Sequence, residues 1–141
     1  MHADVDHWLA AFVTTHGGVA GTVHRRAADV LELVAAVNIP EPVRRVTATV
    51  PRGKGMAGLA LERDRPETTC NLQTDTSGDV RPGARAVAAQ AAAALPVHDG
   101  AGQVRAVVGI AFADERDLPE AVLDALARAA ASLPALEADP A

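Results

Sequence analysis

Aromatic residues and cysteine are scarce in this chain. Only 2% of its 141 residues are aromatic, and Cys70 is the one thiol. A single thiol excludes an intrachain disulfide and any site that needs two thiolates from one chain, and it is typical of a reducing compartment. With so few rings, the core has to be built from Val, Leu, Ile and Ala, whose small side chains let helices and strands approach closely.

Long apolar runs, clustered positive charge and a secretion signal are also missing. The formal net charge is −5, and the only adjacent basic pairs are Arg25 with Arg26 and Arg44 with Arg45, so no basic stripe faces a phosphate backbone. No stretch of about 18 apolar residues could span a bilayer, and no apolar run follows a basic N-terminus. We therefore expect a soluble cytoplasmic protein that binds neither nucleic acid nor a membrane.

The histidines do not form a metal-binding pattern. They are His2, His7, His16, His24 and His98, without the i, i+4 spacing of a helical ligand pair. Solvated or capping roles are the ordinary expectation, and for His24 we also weigh a role as a pocket donor or an axial haem ligand. No Ser-His-acid set or carboxylate pair stands out, so the sequence predicts no metal site and leaves any cofactor unknown.

The spacing of apolar residues predicts a single α+β domain over residues 1–141, with a core over about 4–134 and a short disordered C-terminal tail. The strongest strands are joined by hairpins, which predicts an antiparallel sheet of five or six strands with helices packed on it. The predicted elements are, in order, a helix over 4–16, strands over 18–26 and 29–37, a short helix ending near 62, a strand over 67–72, a polar loop over 73–83, strands over 91–97 and 104–112, and a helix over 118–132.

Two further predictions concern the side chains that face the core. In the second strand the period of two places four residues on one face, namely Leu31, Leu33, Ala35 and Val37. In the last helix Asp117 is the predicted N-cap with Pro119 in the first turn. The predicted inner stripe of that helix consists of Val122, Ala125, Leu126, Ala129 and Leu133.

The segment from Pro42 to Val50 has two interpretations. Pro42 suits the first turn of a short helix, whereas Thr47, Thr49 and Val50 favour extended chain. The sequence alone leaves both open.

Three glycines fall within six residues, at Gly53, Gly55 and Gly58. The segment lacks the Gly-x-x-x-x-Gly-Lys-Ser/Thr spacing of a phosphate loop, so a tight turn into a short helix is the ordinary interpretation. The alternative is that Lys54 and the backbone N–H groups at the start of that helix hold an anionic ligand.

Polar side chains cluster where the short strand over 67–72 meets the loop that follows it. Thr69, Asn71, Gln73 and Asp75 supply donors and acceptors there, and Cys70 lies among them. Cys70 is either a buried small hydrophobe or a thiol that lines a pocket. Asp75 is either a ligand contact or an ordinary turn residue.

The order of the elements resembles that of a GAF domain over roughly residues 4–134. The resemblance is carried by the turn Gly53-Lys54-Gly55-Met56-Ala57-Gly58-Leu59-Ala60, by Asn71-Leu72-Gln73-Thr74-Asp75, and by the closing hairpin of residues 92–100 and 104–111. It implies terminal helices on one face of the sheet and a ligand pocket under loops on the other. It also implies a domain that senses small ligands, binds nucleotides or chromophores, or dimerises through its first and last helices.

One enzyme in this family, the free methionine-(R)-sulfoxide reductase, needs several cysteines around its pocket, and this sequence departs from that pattern. Ala57 stands where the resemblance places a cysteine of the enzyme's glycine-rich turn. A sulfenic acid formed on Cys70 would have no resolving partner in the chain.

We therefore expect a non-catalytic, dimeric ligand-binding regulator with its cavity between the sheet and the segments 38–58 and 69–90. One rival is a small redox or hydrolytic enzyme that uses Cys70, Asp75 or His24. Another is a scaffold whose pocket is filled by its own side chains, because few rings are present to stack on a flat ligand. The expected ligand-binding residues are His24, Lys54, Thr69, Cys70, Asn71, Gln73 and Asp75.

Overall fold

The computed structural model describes residues 3–69, 91–114 and 117–136. In these ranges the chain forms four helices and six strands. They are α1 (Ala3–Thr15), β1 (Ala20–Ala27), β2 (Val30–Val37), α2 (Glu41–Val46), β3 (Thr49–Pro51), α3 (Gly55–Arg63), β4 (Glu67–Thr69), β5 (Ala91–His98), β6 (Val104–Phe112) and α4 (Glu120–Ala130). None of these helices is long and apolar enough to cross a membrane.

The six described strands form one antiparallel sheet in the order β3-β2-β1-β6-β5-β4. β1 with β2 and β5 with β6 are hairpins, and β1 pairs with β6 at the centre of the sheet. The predicted antiparallel α+β arrangement is therefore confirmed. Because the first and last hairpins meet at β1 and β6, the two ends of the chain contribute to one core.

The terminal helices α1 and α4 pack on the same face of the sheet. Leu9 of α1 and Leu126 of α4 are buried in one apolar cluster with the inward side chains of the strands. Trp8 Nε1 donates to Ser132 Oγ at 3.0 Å, which ties α1 to the end of α4. The strand residues of this cluster that come from β6 are Ala106, Val108, Ile110 and Phe112, which share one face of the strand.

The segment after Pro42 contains both of its predicted alternatives in succession. Pro42 lies in the first turn of α2, where its missing N–H has no helical partner to lose. Thr47 ends the helix, and its hydroxyl donates to Val43 O at 2.8 Å. The chain then becomes extended as β3, which pairs with β2.

The predicted face of β2 is wrong because a β-bulge interrupts the strand. The pairing of β1 with β2 changes register beside His24, which pairs with Leu33, so Val34 is the extra residue. A bulge shifts the side-chain alternation by one position. Ala35 accordingly packs under the terminal helices, whereas Leu31 packs on the opposite face.

The predicted start and stripe of the last helix also need correction. Pro119 is the N-cap of α4 and no side chain caps it, so Asp117 does not have the predicted role. Val122 is 41% exposed and Ala125 is also exposed. The predicted Leu126, Ala129 and Leu133 do pack in or against the core, and Leu123, Ala127 and Ala130 join them in place of Val122 and Ala125.

Candidate functional site

A cavity of about 160 Å³ lies between the sheet and the segment that carries α2 and the start of α3. It is on the face opposite the terminal helices, where the predicted architecture places a pocket. Its surroundings are two small apolar clusters, one around Ile39 and Val43 and one around Leu31 and Leu61. The cavity is therefore bounded by these clusters and by the strands of the sheet.

Small side chains form the floor of the cavity. Side chains at alternate positions of a strand point to the same face, and here they come from β1, β5 and β6. Ala111 stands beside Ala20 on one side and Ala92 on the other. None of these side chains reaches far above the sheet, so α2 and α3 leave space over it. The floor residues are Ala20, Thr22, Ala92, Ala94, Gly109 and Ala111.

The wall made by the α2 segment is anchored to the sheet at both ends. Asn38 Nδ2 donates to Val19 O at 2.8 Å before the helix. The Leu33 N–H donates to Ala48 O at 2.9 Å after it. The wall is thus held over the floor by a backbone group just before β1 and one of β2. The residues of this side of the cavity are Ile39, Val43, Thr47, Val50 and Met56.

His24 is a buried polar residue of the cavity lining. It is 3% exposed, and its Nε2 lies 2.9 Å from Thr47 O. A carbonyl can only accept, so Nε2 carries the hydrogen and Nδ1 of the neutral ring is an acceptor. Nδ1 is buried and has no hydrogen-bond partner in the described part of the chain. His24 therefore joins the floor to the end of α2 and keeps one acceptor unused.

Burial keeps the His24 ring neutral. Desolvation lowers the pKa of His24 below the ordinary 6.5, and the hydrogen bond to Thr47 O opposes this effect only in part. Protonation would place a second N–H on Nδ1, which is buried and has no hydrogen-bond partner among the described residues. The neutral ring is thus the form that fits this site.

The stability of the fold is expected to fall on acidification because of His24. Above about pH 6.5 the ring is neutral in both the folded and the unfolded chain, and it contributes nothing to the pH dependence. Below that pH the unfolded chain takes up the proton first, so the free energy of unfolding falls by at most about 1.4 kcal/mol per pH unit until the folded ring titrates. Urea unfolding between about pH 8 and pH 5 measures this slope. The His24→Gln variant should show a shallower slope than the wild type, and equal slopes would contradict this account of the ring.

Lys54 lines the cavity at the start of α3. The sequence singles out this position as a candidate anion site. Lys54 is the N-cap of α3 without a side-chain cap, and Gly55, Met56 and Ala57 follow it along the cavity lining. The first N–H groups of a helix have no partner within the helix, and the helix dipole favours negative charge there. This end of the cavity therefore suits an electronegative group.

Of the other predicted ligand-binding residues, only Thr69 lies within the described part of the chain. Thr69 is buried at the end of β4 and is not among the described residues that line the cavity. Cys70, Asn71, Gln73 and Asp75 lie outside the described residues. The structure thus brings together His24 and Lys54, which are 30 positions apart in the sequence.

The floor residues were not foreseen as part of the site. A signal for them exists in β6, where Gly109 and Ala111 alternate with the large Val108, Ile110 and Phe112. Where one face of a strand carries large side chains and the other carries the smallest ones, the face with the small side chains leaves space for another element or a ligand. Within the described ranges, no group of three His, Cys, Asp or Glu side chains is placed to hold a metal ion.

Comparison with known proteins shows a likeness in fold but not in sequence. No protein-family model matches the chain, and no curated protein matches it. The GAF domain of Acinetobacter phosphoenolpyruvate-protein phosphotransferase superposes with a TM-score of 0.73 at 15% identity, over 94% of this chain and 78% of that one. Type II free methionine-R-sulfoxide reductase from Thermoplasma acidophilum gives 0.68 at 14% identity, over 93% and 92%.

A third similar structure is NreA from Staphylococcus aureus, in a form mutated in its nitrate-binding site. Its TM-score is 0.68 at 17% identity, over 85% of this chain and 93% of that one. The three proteins differ in what they do, and identities this low speak for architecture alone.

Proposed function

This chain has a GAF-like fold, and on that premise we propose that it is a regulatory domain that binds a small molecule without transforming it. The ligand occupies the cavity between the floor and the α2 segment. The observation that carries the proposal is the floor itself, where small residues from three strands meet below anchored walls. A few polar groups in a mostly apolar concave site are typical of ligand pockets.

The polar groups of the site suggest how the ligand is oriented. His24, Thr22 and Thr47 are polar residues of the lining, and Lys54 with the start of α3 offers positive charge. A protein of similar fold has a nitrate-binding site, which supports an anionic group at the α3 end as the second half of the hypothesis.

Methionine sulfoxide reduction is the enzymatic alternative, because two of the similar structures are free methionine-R-sulfoxide reductases. Cys70 is the only cysteine of the 141 residues. A sulfenic acid on it would find no second cysteine in the chain with which to form a disulfide. We therefore favour binding without turnover.

The terminal helices are the surface that we propose for a homodimer. They pack on the same face of the sheet and are tied by the hydrogen bond from Trp8 to Ser132. Ala10 and Ala11 of α1 are exposed, and Val122 of α4 is one of the two large apolar side chains that are exposed in the described ranges. Such a pair of helices can pack against a second copy about a twofold axis, opposite the ligand.

Filling the cavity tests the binding function. The Ala111→Leu variant adds a branched side chain between Ala20 and Ala92, and it should abolish ligand occupancy while the protein stays folded. Native mass spectrometry of the purified protein measures both the bound mass and the mass of the assembly, and circular dichroism checks the fold. The matched control is Ala101→Leu, which makes the same change in the exposed turn between β5 and β6 and should leave occupancy unchanged.

Either of two results would contradict this function. One is an Ala111→Leu protein that retains the same bound mass as the wild type. The other is a wild-type protein that carries no ligand and gains no thermal stability from any small molecule, which would favour the scaffold hypothesis. A monomeric mass at micromolar concentration would contradict the dimer alone.

A further inference from the structure

A second concave surface lies at the other end of the central strands. It is a cleft of about 710 Å³, formed by the end of β1, the turn between β5 and β6, the start of β6 and the residues that follow α4. The described residues that line it differ from those that line the cavity above the floor. We call it the arginine cleft, because its polar lining includes Arg25, Arg26, His98, Gln103 and Arg105.

The arginine cleft places two like charges on neighbouring strands, in a chain whose formal net charge is −5. Arg25 of β1 pairs with Ala106 of β6. In an antiparallel pair the next residue of one strand meets the preceding residue of the other, so Arg26 comes opposite Arg105. Like charges that stand directly opposite each other are destabilising. An anion bound between the two guanidinium groups would remove this cost.

Both guanidinium groups are held in place by backbone carbonyls. Arg26 Nε donates to Ala28 O at 2.9 Å, and its Nη1 donates to Val104 O at 3.4 Å. Arg105 donates through Nη2 and Nη1 to the carbonyls of residues 133–134, at 2.8 and 3.3 Å. Because these acceptors are neutral, the hydrogen bonds orient the two groups without cancelling their charge, and they use two of the five N–H donors of each. Side chains that are already ordered lose little conformational freedom when a ligand binds.

The carboxylates of this region are engaged with other partners. Glu32 Oε1 accepts from Arg25 Nη2 at 2.6 Å. Asp99 Oδ1 accepts the backbone N–H groups of Ala101 and Gln103, at 2.8 and 3.0 Å, which closes the turn between β5 and β6. Among the described residues, the charges of the opposed arginine pair are thus the ones that the cleft offers to a ligand.

We propose that the arginine cleft binds a phosphate group through Arg26 and Arg105. A phosphate monoester carries nearly two negative charges near neutral pH and three strong acceptor oxygens, which suit two guanidinium groups on neighbouring strands. Hydrogen bonds from arginine to phosphate are charge-assisted and frequently bidentate. The group is either free phosphate or one end of a phosphorylated small molecule. This site is separate from the proposed ligand cavity, so either can exist without the other.

NMR titration of the full chain with inorganic phosphate and with glycerol phosphate tests this site, with chloride at the same ionic strength as the reference. Both phosphates should cause saturable shifts of the backbone N–H resonances of Ala28, Gly100 and Gln103, whereas chloride should not. The Arg26→Gln variant should raise the dissociation constant about tenfold, as for the loss of a hydrogen bond to a charged group. The matched control is Arg45→Gln, which removes the same charge from α2, where Arg45 is exposed and paired with Glu41. It should bind phosphate as the wild type does.

A second measurement needs no variant, so it stands even if Arg26→Gln fails to fold. The guanidinium ¹⁵N resonances of Arg26 and Arg105 in the wild-type protein should move together on addition of phosphate, because both groups donate to the same anion. Tighter binding of glycerol phosphate than of inorganic phosphate would identify a phosphorylated small molecule as the ligand. Equal or weaker binding would identify free phosphate.

Two results would overturn the phosphate site. One is a set of shifts that phosphate and chloride cause equally at the same ionic strength, since that is general screening of charge. The other is a dissociation constant that is the same in Arg26→Gln and Arg45→Gln, together with unmoved guanidinium resonances in the wild type. Neither result bears on the cavity under α2, which the Ala111→Leu variant tests separately.

Discussion

Replacement of Leu95 by alanine is expected to lower the free energy of unfolding by about 2–5 kcal/mol. Leu95 is 0% exposed in the middle of β5, stands opposite Val108 of β6 and belongs to the cluster under the terminal helices. The loss combines the transfer free energy of the deleted carbons with the cost of the hole that they leave. A core with hardly any aromatic rings has few long side chains that could move into that hole. Urea unfolding monitored by circular dichroism should show a lower midpoint and an unchanged slope.

Two control variants show whether burial is the cause of this loss. Leu95→Met nearly conserves the volume and should cost less than about 1.5 kcal/mol. Val46→Ala removes an apolar side chain that is 54% exposed on α2, and its effect should stay within about 0.5 kcal/mol. A loss below about 1 kcal/mol for Leu95→Ala would show that β5 is not packed under the helices in the way described.

The Gly58→Ala variant is expected to be destabilised by about 1–3 kcal/mol, as for overpacking. In most helices the same change stabilises by about 0.5–1 kcal/mol, because glycine loses more backbone freedom on folding. The sign of the effect reverses here because the first turn of α3 packs against the turn that precedes the helix. A Cβ at Gly58 would overlap Pro51 O and would lie 3.2 Å from Gly53 N. It would also disturb the hydrogen bond from the Gly53 N–H to Gly58 O, which is 2.9 Å long.

Gly100→Ala is the matched control for the glycine in α3. Gly100 lies in the turn between β5 and β6, and a Cβ there would meet no atom within 4 Å. This variant should keep the wild-type midpoint or exceed it slightly. Because the turn before α3 also carries Lys54, Gly58→Ala should weaken ligand binding as well. A Gly58→Ala protein as stable as Gly100→Ala would show that the turn has room to move.

The strands and hairpins could be predicted because their signal is periodic and local. In β6 large residues alternate with Gly109 and Ala111 over residues 108–112, and Ile110 and Phe112 are buried in the cluster under the terminal helices. The bulge at Val34 has no such signal, since it depends on how β2 meets its neighbour. The position of the apolar stripe on α4 was mispredicted for a related reason. The helix faces centred on Ala125 and on Leu126 are almost equally apolar, and only packing against the sheet decides which of them is buried.

The sequence predicted a cavity between the sheet and the segment 38–58, which does line it, and it singled out two polar members. His24 and Lys54 were singled out from the sequence, and both line the cavity. The alanines and the glycine of the floor were missed, because a small residue gives no chemical signal by itself. Their role depends on the neighbouring strands. The sheet places Ala20, Ala111 and Ala92 side by side, although they are far apart in the sequence.

The tryptophan that joins the terminal helices gives the protein an intrinsic fluorescence signal. Trp8 is the only tryptophan, stacks on Phe12 with ring centroids 5.0 Å apart and donates to Ser132 Oγ. All indole emission therefore originates at one point, on the far side of the sheet from the cavity. A change in emission on ligand addition would have to be transmitted across the strands, so a spectrum that needs no label would report communication between the two faces.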